Sequence, residues 1–129
     1  MAAPLRTLLL IIVLICISNT VVLGDPDTTL QSYFCNRNKI SGHDAMWALS
    51  YILQLLVLDT PKAGNYDYRI DNSGWYGHGV CNTALSSSDC QTCMDSARTY
   101  AKNNCPQSVG AQIELQDCKL RYENYPFQA

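Results

Sequence analysis

The stretch Cys81 to Cys93, CNTALSSSDCQTC, decides how this chain is read: three cysteines in a C-x8-C-x2-C spacing around a serine run. The C-x2-C end is shared by zinc ribbons and thioredoxin-like redox sites. Taken alone, the spacing leaves metal ligation, redox chemistry and structural cross-links all open. The compartment separates them, and the N-terminus carries that information.

Arg6 precedes an apolar run from Leu8 to Ile17, LLLIIVLICI, and Val22-Leu23-Gly24 ends in a small residue before Asp25. This is the layout of a secretory signal peptide over residues 1–24, leaving a single domain over residues 25–129. A membrane anchor is the competing reading, but the unbroken run is shorter than the about 20 residues a spanning helix needs. Removing residues 1–24 also removes Cys16, so seven cysteines become six: Cys35, Cys81, Cys90, Cys93, Cys105 and Cys118. An even count in a small exported chain points to three disulfides. The secretory pathway opposes the reduced thiolates that zinc requires, and His43 and His78 are the only histidines. No metal and no cofactor is expected.

The formal charge of −2, without any Lys/Arg run, argues against nucleic acid, whose binding rests on phosphate neutralisation. It argues equally against cationic membrane disruption, and no membrane contact is expected once the signal is removed.

Along the mature chain, TTLQSYFC (Thr28 to Cys35) is rich in β-formers and reads as a strand. Ser41 with Asp44 forms a capping-box pattern ahead of AMWALSYILQLLVL, where Met46, Leu49, Leu53 and Leu56 sit at helical spacing, and Pro61 stops the helix. Between Ala45 and Leu58 only Ser50 and Gln54 are polar, more apolar surface than one small sheet can cover. Scattered exposed apolar side chains are one explanation. A patch around Trp47, Tyr51, Leu55 and Leu58 that meets a partner protein or a second copy is the other. NYDYRI (Asn65 to Ile70) reads as a strand, DNSG as a turn and WYGHGVC as a second strand. Ser88 to Gln91 fits a second capping box, opening a helix to about Asn103 that Cys105-Pro106 breaks. AQIELQD and KLRYENY close the chain as an antiparallel pair. The expected fold is α+β: two helices packed on one antiparallel sheet of about five strands, held by three disulfides.

With these elements in order, the chain resembles the ginkbilobin-type cysteine-rich domain of plants. That domain occurs in secreted antifungal seed proteins and, in pairs, in the ectodomains of cysteine-rich receptor-like kinases. The resemblance spans almost the whole mature chain. It is carried by Phe34-Cys35-Asn36, Tyr66-Asp67-Tyr68, Tyr76-Gly77, the C-x8-C-x2-C cluster, Cys105-Pro106 and the ending CKLRYENYPF. Six cysteines allow 15 pairings from sequence alone. The resemblance implies one: Cys35–Cys105, Cys81–Cys90 and Cys93–Cys118.

The resemblance also implies a secreted, apoplastic defence protein that binds mannose-type glycans of fungal walls without catalysis. In the family the sugar is held by an asparagine after the first cysteine, an arginine on the penultimate strand and a glutamate on the last. Asn36 and Glu123 match the first and third, while Gln112 stands where the family has arginine. A glutamine keeps donors and an acceptor but loses the charge and the five-donor fork. Arg121, two residues before Glu123 and on the same strand face, is a candidate replacement. The bland counterparts are an Asn36 bonded to its own backbone and a surface ion pair of Arg121 with Glu123. Trp75 and Tyr76 are candidate stacking rings or, alternatively, sheet core, and Tyr68 and Tyr122 read as packing residues.

No enzyme is expected. The cysteines are committed to cross-links, and a hydrolase reading rests only on Glu114 and Glu123 approaching each other across adjoining strands. The rival to glycan binding is an extracellular protein–protein module that docks a receptor or a second copy through residues 45–58.

Overall fold

In a computed structural model of the chain, which describes residues 4, 6–10 and 25–128, the elements run β1 (Leu30–Cys35), α1 (His43–Asp59), β2 (Asp67–Asn72), β3 (Trp75–Cys81), α2 (Ser87–Asn104), β4 (Gly110–Leu115) and β5 (Cys118–Glu123). The signal-peptide boundary expected after Gly24 lies outside the described residues. The strands form one five-stranded sheet in the order β1-β4-β5-β3-β2, with every neighbouring pair antiparallel. The α+β architecture expected from the sequence is the one observed.

Both helices pack on one face of the sheet, and period-2 alternation sorts the strand residues accordingly. Along β3, Trp75, Gly77, Gly79 and Cys81 are buried while Tyr76, His78 and Val80 point to the other face. Gly79 is required by close approach: a Cβ there would lie 2.3 Å from Thr60 Oγ1 and 2.7 Å from Met94 Cε. The missing side chain is what lets α2 and the turn after α1 settle onto the strand.

In α1 the buried stripe is Leu49, Ile52, Leu53, Leu56 and Val57. Met46, expected in the stripe, is only partly covered, because it lines a shallow cleft against the Ala101–Gln107 end of α2. The expected capping box at Ser41 and Asp44 is not formed. Gly42 takes the N-cap position at φ 97°, without a side-chain cap bond. In α2 the cap is Ser86 and not Ser88: its Oγ accepts from the Asp89 N–H at 3.1 Å. A turn at Asn82, whose Oδ1 accepts from the Ala84 N–H, ends at Leu85 and so puts the first serine of the run at the helix start. Cys90, Cys93, Met94, Ala97 and Ala101 then share the buried face.

Strand β2 begins at Asp67, two residues later than expected, because Asn65 (φ 55°) and Tyr66 (φ 51°) belong to a 3-10 turn. Strands β2 and β3 are longer at their shared end than the expected DNSG turn allowed. Asn72 pairs with Trp75, and only Ser73 (φ 56°) and Gly74 (φ 81°) make the turn, as in a type I′ hairpin.

Three disulfides join Cys35 to Cys105, Cys81 to Cys90 and Cys93 to Cys118. These are the pairs implied by the resemblance. They tie β1 to the end of α2, β3 to its start, and α2 to the final hairpin. The N-terminal segment is fastened at the same hairpin, where the Asp27 N–H donates to Asp117 Oδ2 at 2.7 Å and the Asp117 N–H to the Asp27 carbonyl at 3.1 Å.

Candidate functional site

The sheet face away from the helices carries the polar members of each strand. Pairing registers place Gln112 between Phe34 on β1 and Arg121 on β5, and Glu123 opposite Gly110. The Asn36 N–H donates to the Gly110 carbonyl at 2.8 Å. Asn36, Gln112, Arg121 and Glu123 therefore meet at one corner of this face, around a residue without a side chain.

Glu123 is only 5% exposed, although its neighbours along β5 alternate as expected. The absent Cβ at Gly110 makes room for its carboxylate. Arg121 compensates the buried charge, with Nη2 3.4 Å from Glu123 Oε2. The same guanidinium lies 4.1 Å over the Phe127 ring and within 3.5 Å of the Tyr125 hydroxyl. Its Nε is buried without a hydrogen-bond partner among the described residues. The C-terminal segment thus covers the arginine that the sequence offers in place of the family's own.

Asn36 makes the local bond expected of a loop asparagine: its Oδ1 accepts from the Asn38 N–H at 3.0 Å. That leaves its amide NH2 as the group able to donate to a ligand. A residue that pattern reading passed over holds this corner. Ser108 is fully buried, and its hydroxyl donates to the Asn36 and Gly110 carbonyls. Its own carbonyl accepts from the Tyr122 hydroxyl at 3.2 Å. Burial, and then the neighbouring Glu123 charge, push the Tyr122 phenol up to about 12, so it stays a donor at any physiological pH. No local motif marks Ser108; its role comes from contacts with segments far away in the chain.

Other sequence candidates fall elsewhere. Glu114 stands opposite Lys119 and Glu123 opposite Gly110. The two glutamates are thus four strand residues apart, about 13 Å, too far for a hydrolytic carboxylate pair. Each has its own cation: Glu114 with Lys119 at 3.5 Å and Glu123 with Arg121. Trp75 is core, edge-on to Tyr122 with ring centroids 5.9 Å apart, and is no stacking surface. Tyr76 is partly buried opposite Glu123, and Tyr68 packs against the core. His43 is exposed, while His78 is held by Asp67, Nε2 to Oδ1 at 2.6 Å. On α1, Trp47 and Tyr51 are 72% and 52% exposed, whereas Leu55 and Leu58 are partly buried, so the expected patch is narrower than four residues.

A groove of about 750 Å³ runs along β1, β4 and β5 on the outer face, lined by Ser32, Phe34, Gln112, Glu114, Lys119 and Arg121 among others. Among the described residues no group of three His, Cys, Asp or Glu is placed to hold a metal ion.

Comparison with known proteins sets this geometry in context. The family described as "Salt stress response/antifungal" matches residues 26–125. The chain is 36% identical over 109 residues to antifungal protein ginkbilobin-like protein 1 of Picea sitchensis, covering 79% of this chain and 81% of that protein. It is 32% identical over 108 residues to antifungal protein ginkbilobin-2 of Ginkgo biloba, covering 78% and 80%. Among solved structures, the tandem DUF26 ectodomain of the Arabidopsis thaliana cysteine-rich receptor-like protein PDLP8 superposes with a TM-score of 0.69 at 26% identity. That match covers 76% of this chain and 46% of the tandem ectodomain, so the chain spans about half of it.

Proposed function

The chain belongs to the salt stress response/antifungal family of extracellular plant domains, and from that premise we propose that it acts in defence by binding mannose-type glycans of fungal walls, without catalysis. The leader over residues 1–24 is removed on export in this reading, and the disulfide-held domain reaches the apoplast. The observation that carries it is the meeting of Asn36, Gln112, Arg121 and Glu123 around Gly110. An amide, a second amide, a carboxylate and a guanidinium are the planar groups that satisfy vicinal hydroxyls. Gln112 supplies neutral hydrogen bonding where the family has arginine, and Arg121 supplies charge from the next strand.

Titration of mannose and mannan into the oxidised domain, followed by NMR, tests this. Saturable shifts at Asn36, Gln112 and Glu123 that disappear in Glu123→Ala and Asn36→Ala are expected. Their absence at millimolar sugar would remove the reading.

A second reading is favoured by one specific observation, the exposure of Trp47 and Tyr51 on α1. Here α1 docks a receptor or a second copy, and the corner around Gly110 has no ligand. A dimer that forms with rising concentration and is lost in Trp47→Ser supports it; a monomer at every concentration counts against a second copy.

A further inference from the structure

The outer-face groove holds an aromatic ring that stays largely uncovered among the described residues. Phe34 is 75% exposed, the highest value among the large apolar side chains of the folded domain. It stands directly across from Gln112 on the same sheet face and two residues before Asn36. Sugar rings combine an apolar C–H face with a rim of hydroxyls, and a site for them needs a flat ring beside planar hydrogen-bonding groups. Trp75, which the sequence offered for that role, is buried in the core; Phe34 has the exposure and the neighbours.

Two further features describe the occupant. The charged groups lining the groove are Glu114, Asp117, Lys119 and Arg121, two of each sign with Glu114 paired to Lys119, so their charges cancel and the floor favours a neutral ligand. The groove also runs from Gln112 on β4 to Gln116, just past the end of that strand. That is on the order of 13 Å, longer than one pyranose ring. Its volume of about 750 Å³ is in the range of sites for ligands much larger than a monosaccharide.

We propose that this groove binds a linear, neutral oligosaccharide of several hexose units, with one ring stacked on Phe34 and its neighbours hydrogen-bonded by Gln112, Glu114, Lys119 and Arg121. The inference rests on the glycan reading above and extends it: the ligand is a stretch of polysaccharide chain, and the corner around Gly110 is one end of its track.

The test is a titration of the oxidised domain with mannose, with mannose oligomers of two to six units and with glucose oligomers of the same lengths. Wild type is compared with Phe34→Ala and Phe34→Trp by calorimetry and by NMR. Kd is expected to fall at least tenfold from monosaccharide to tetrasaccharide. Phe34→Ala raises Kd for the oligomer at least tenfold, and Phe34→Trp restores it, with resonances from Gln112 to Lys119 shifting along the groove. Unchanged melting confirms that an exposed ring has been removed without loss of fold. Oligomer binding no tighter than monosaccharide and indifferent to Phe34→Ala overturns this inference while leaving the corner site intact. No binding of any saccharide overturns both. Groove resonances that move with protein concentration and not with sugar mean that this face pairs with a second copy, which also overturns it.

Discussion

The carboxylate of Glu123 lies over Gly110, so close that a Cβ at position 110 would come within 1.9 Å of Oε1 and 2.8 Å of Cδ. An acidic side chain that β-strand alternation would leave exposed is thereby folded onto the sheet at 5% exposure. The candidate site is built on this one vacancy, and Gly110→Ala probes it directly. The carboxylate must swing out, taking with it the charge that Arg121 compensates. A stability loss of about 1–3 kcal/mol is expected, the cost of overpacking. It is read from chemical denaturation, and shifts at Gln112 and Arg121 should report the displaced side chain.

Alkaline conditions should weaken the folded state through Tyr122. The folded phenol keeps its proton to about 12, against about 10 in the unfolded chain. Between those values the unfolded state holds fewer protons, so stability is fully present below about pH 10 and falls as pH rises towards 12. The loss over that window is about 2–3 kcal/mol. Tyr122→Phe is expected to cost about 1 kcal/mol at neutral pH, through the lost bond to Ser108, and to flatten the alkaline slope. Denaturation midpoints measured every half unit from pH 8 to 12 decide it.

The disulfides close loops of very different size, with sequence separations of 70, 9 and 25. Loop-closure entropy then ranks the losses: Cys35–Cys105 first at about 4.5 kcal/mol, Cys93–Cys118 next at about 3.5, and Cys81–Cys90 last at about 2.5. Paired Cys→Ala substitutions, melted under oxidising conditions, should reproduce that order.

Ending the chain at Asn124 removes both the Tyr125 hydroxyl and the Phe127 ring from Arg121. The guanidinium then becomes reactive towards dicarbonyl reagents at a rate several-fold higher than in the full chain, as peptide mass mapping would show. Stability should fall by only about 1 kcal/mol, the scale of one partly exposed cation–π contact. If the corner site binds sugar, the shortened chain should bind it more tightly.

Much of the fold was legible because its signals are local. An even cysteine count, two helical periodicities and several alternating stretches pointed to a disulfide-held α+β fold. The boundaries that moved did so where chain geometry overrode composition. Gly42 replaced the expected cap at Ser41, the turn at Asn82 put the α2 cap on Ser86, and two positive φ values delayed β2. Asn36, Gln112 and Glu123 were named from sequence through resemblance, and Arg121 through the strand alternation that puts it on the face of Glu123. Ser108, Gly110 and Phe34 were not singled out for the site: no local pattern marks Ser108 or Gly110, and Phe34, though quoted with Cys35 and Asn36, gives no sign in sequence that its ring is exposed.

By itself the sequence determined which residues are apolar on a helix or strand period, and hence two faces for each element. Period and composition act over a few residues, so they are written in the chain. Only the tertiary structure decided which strands are neighbours and what lies across each residue. Strand order β1-β4-β5-β3-β2 brings Phe34, Gln112 and Arg121 into one row from three separate segments. It sends Glu114 and Glu123 to opposite ends of a hairpin, and it leaves Phe34 uncovered while burying Trp75. Those outcomes depend on long-range pairing, in which each contact joins positions that no local pattern connects.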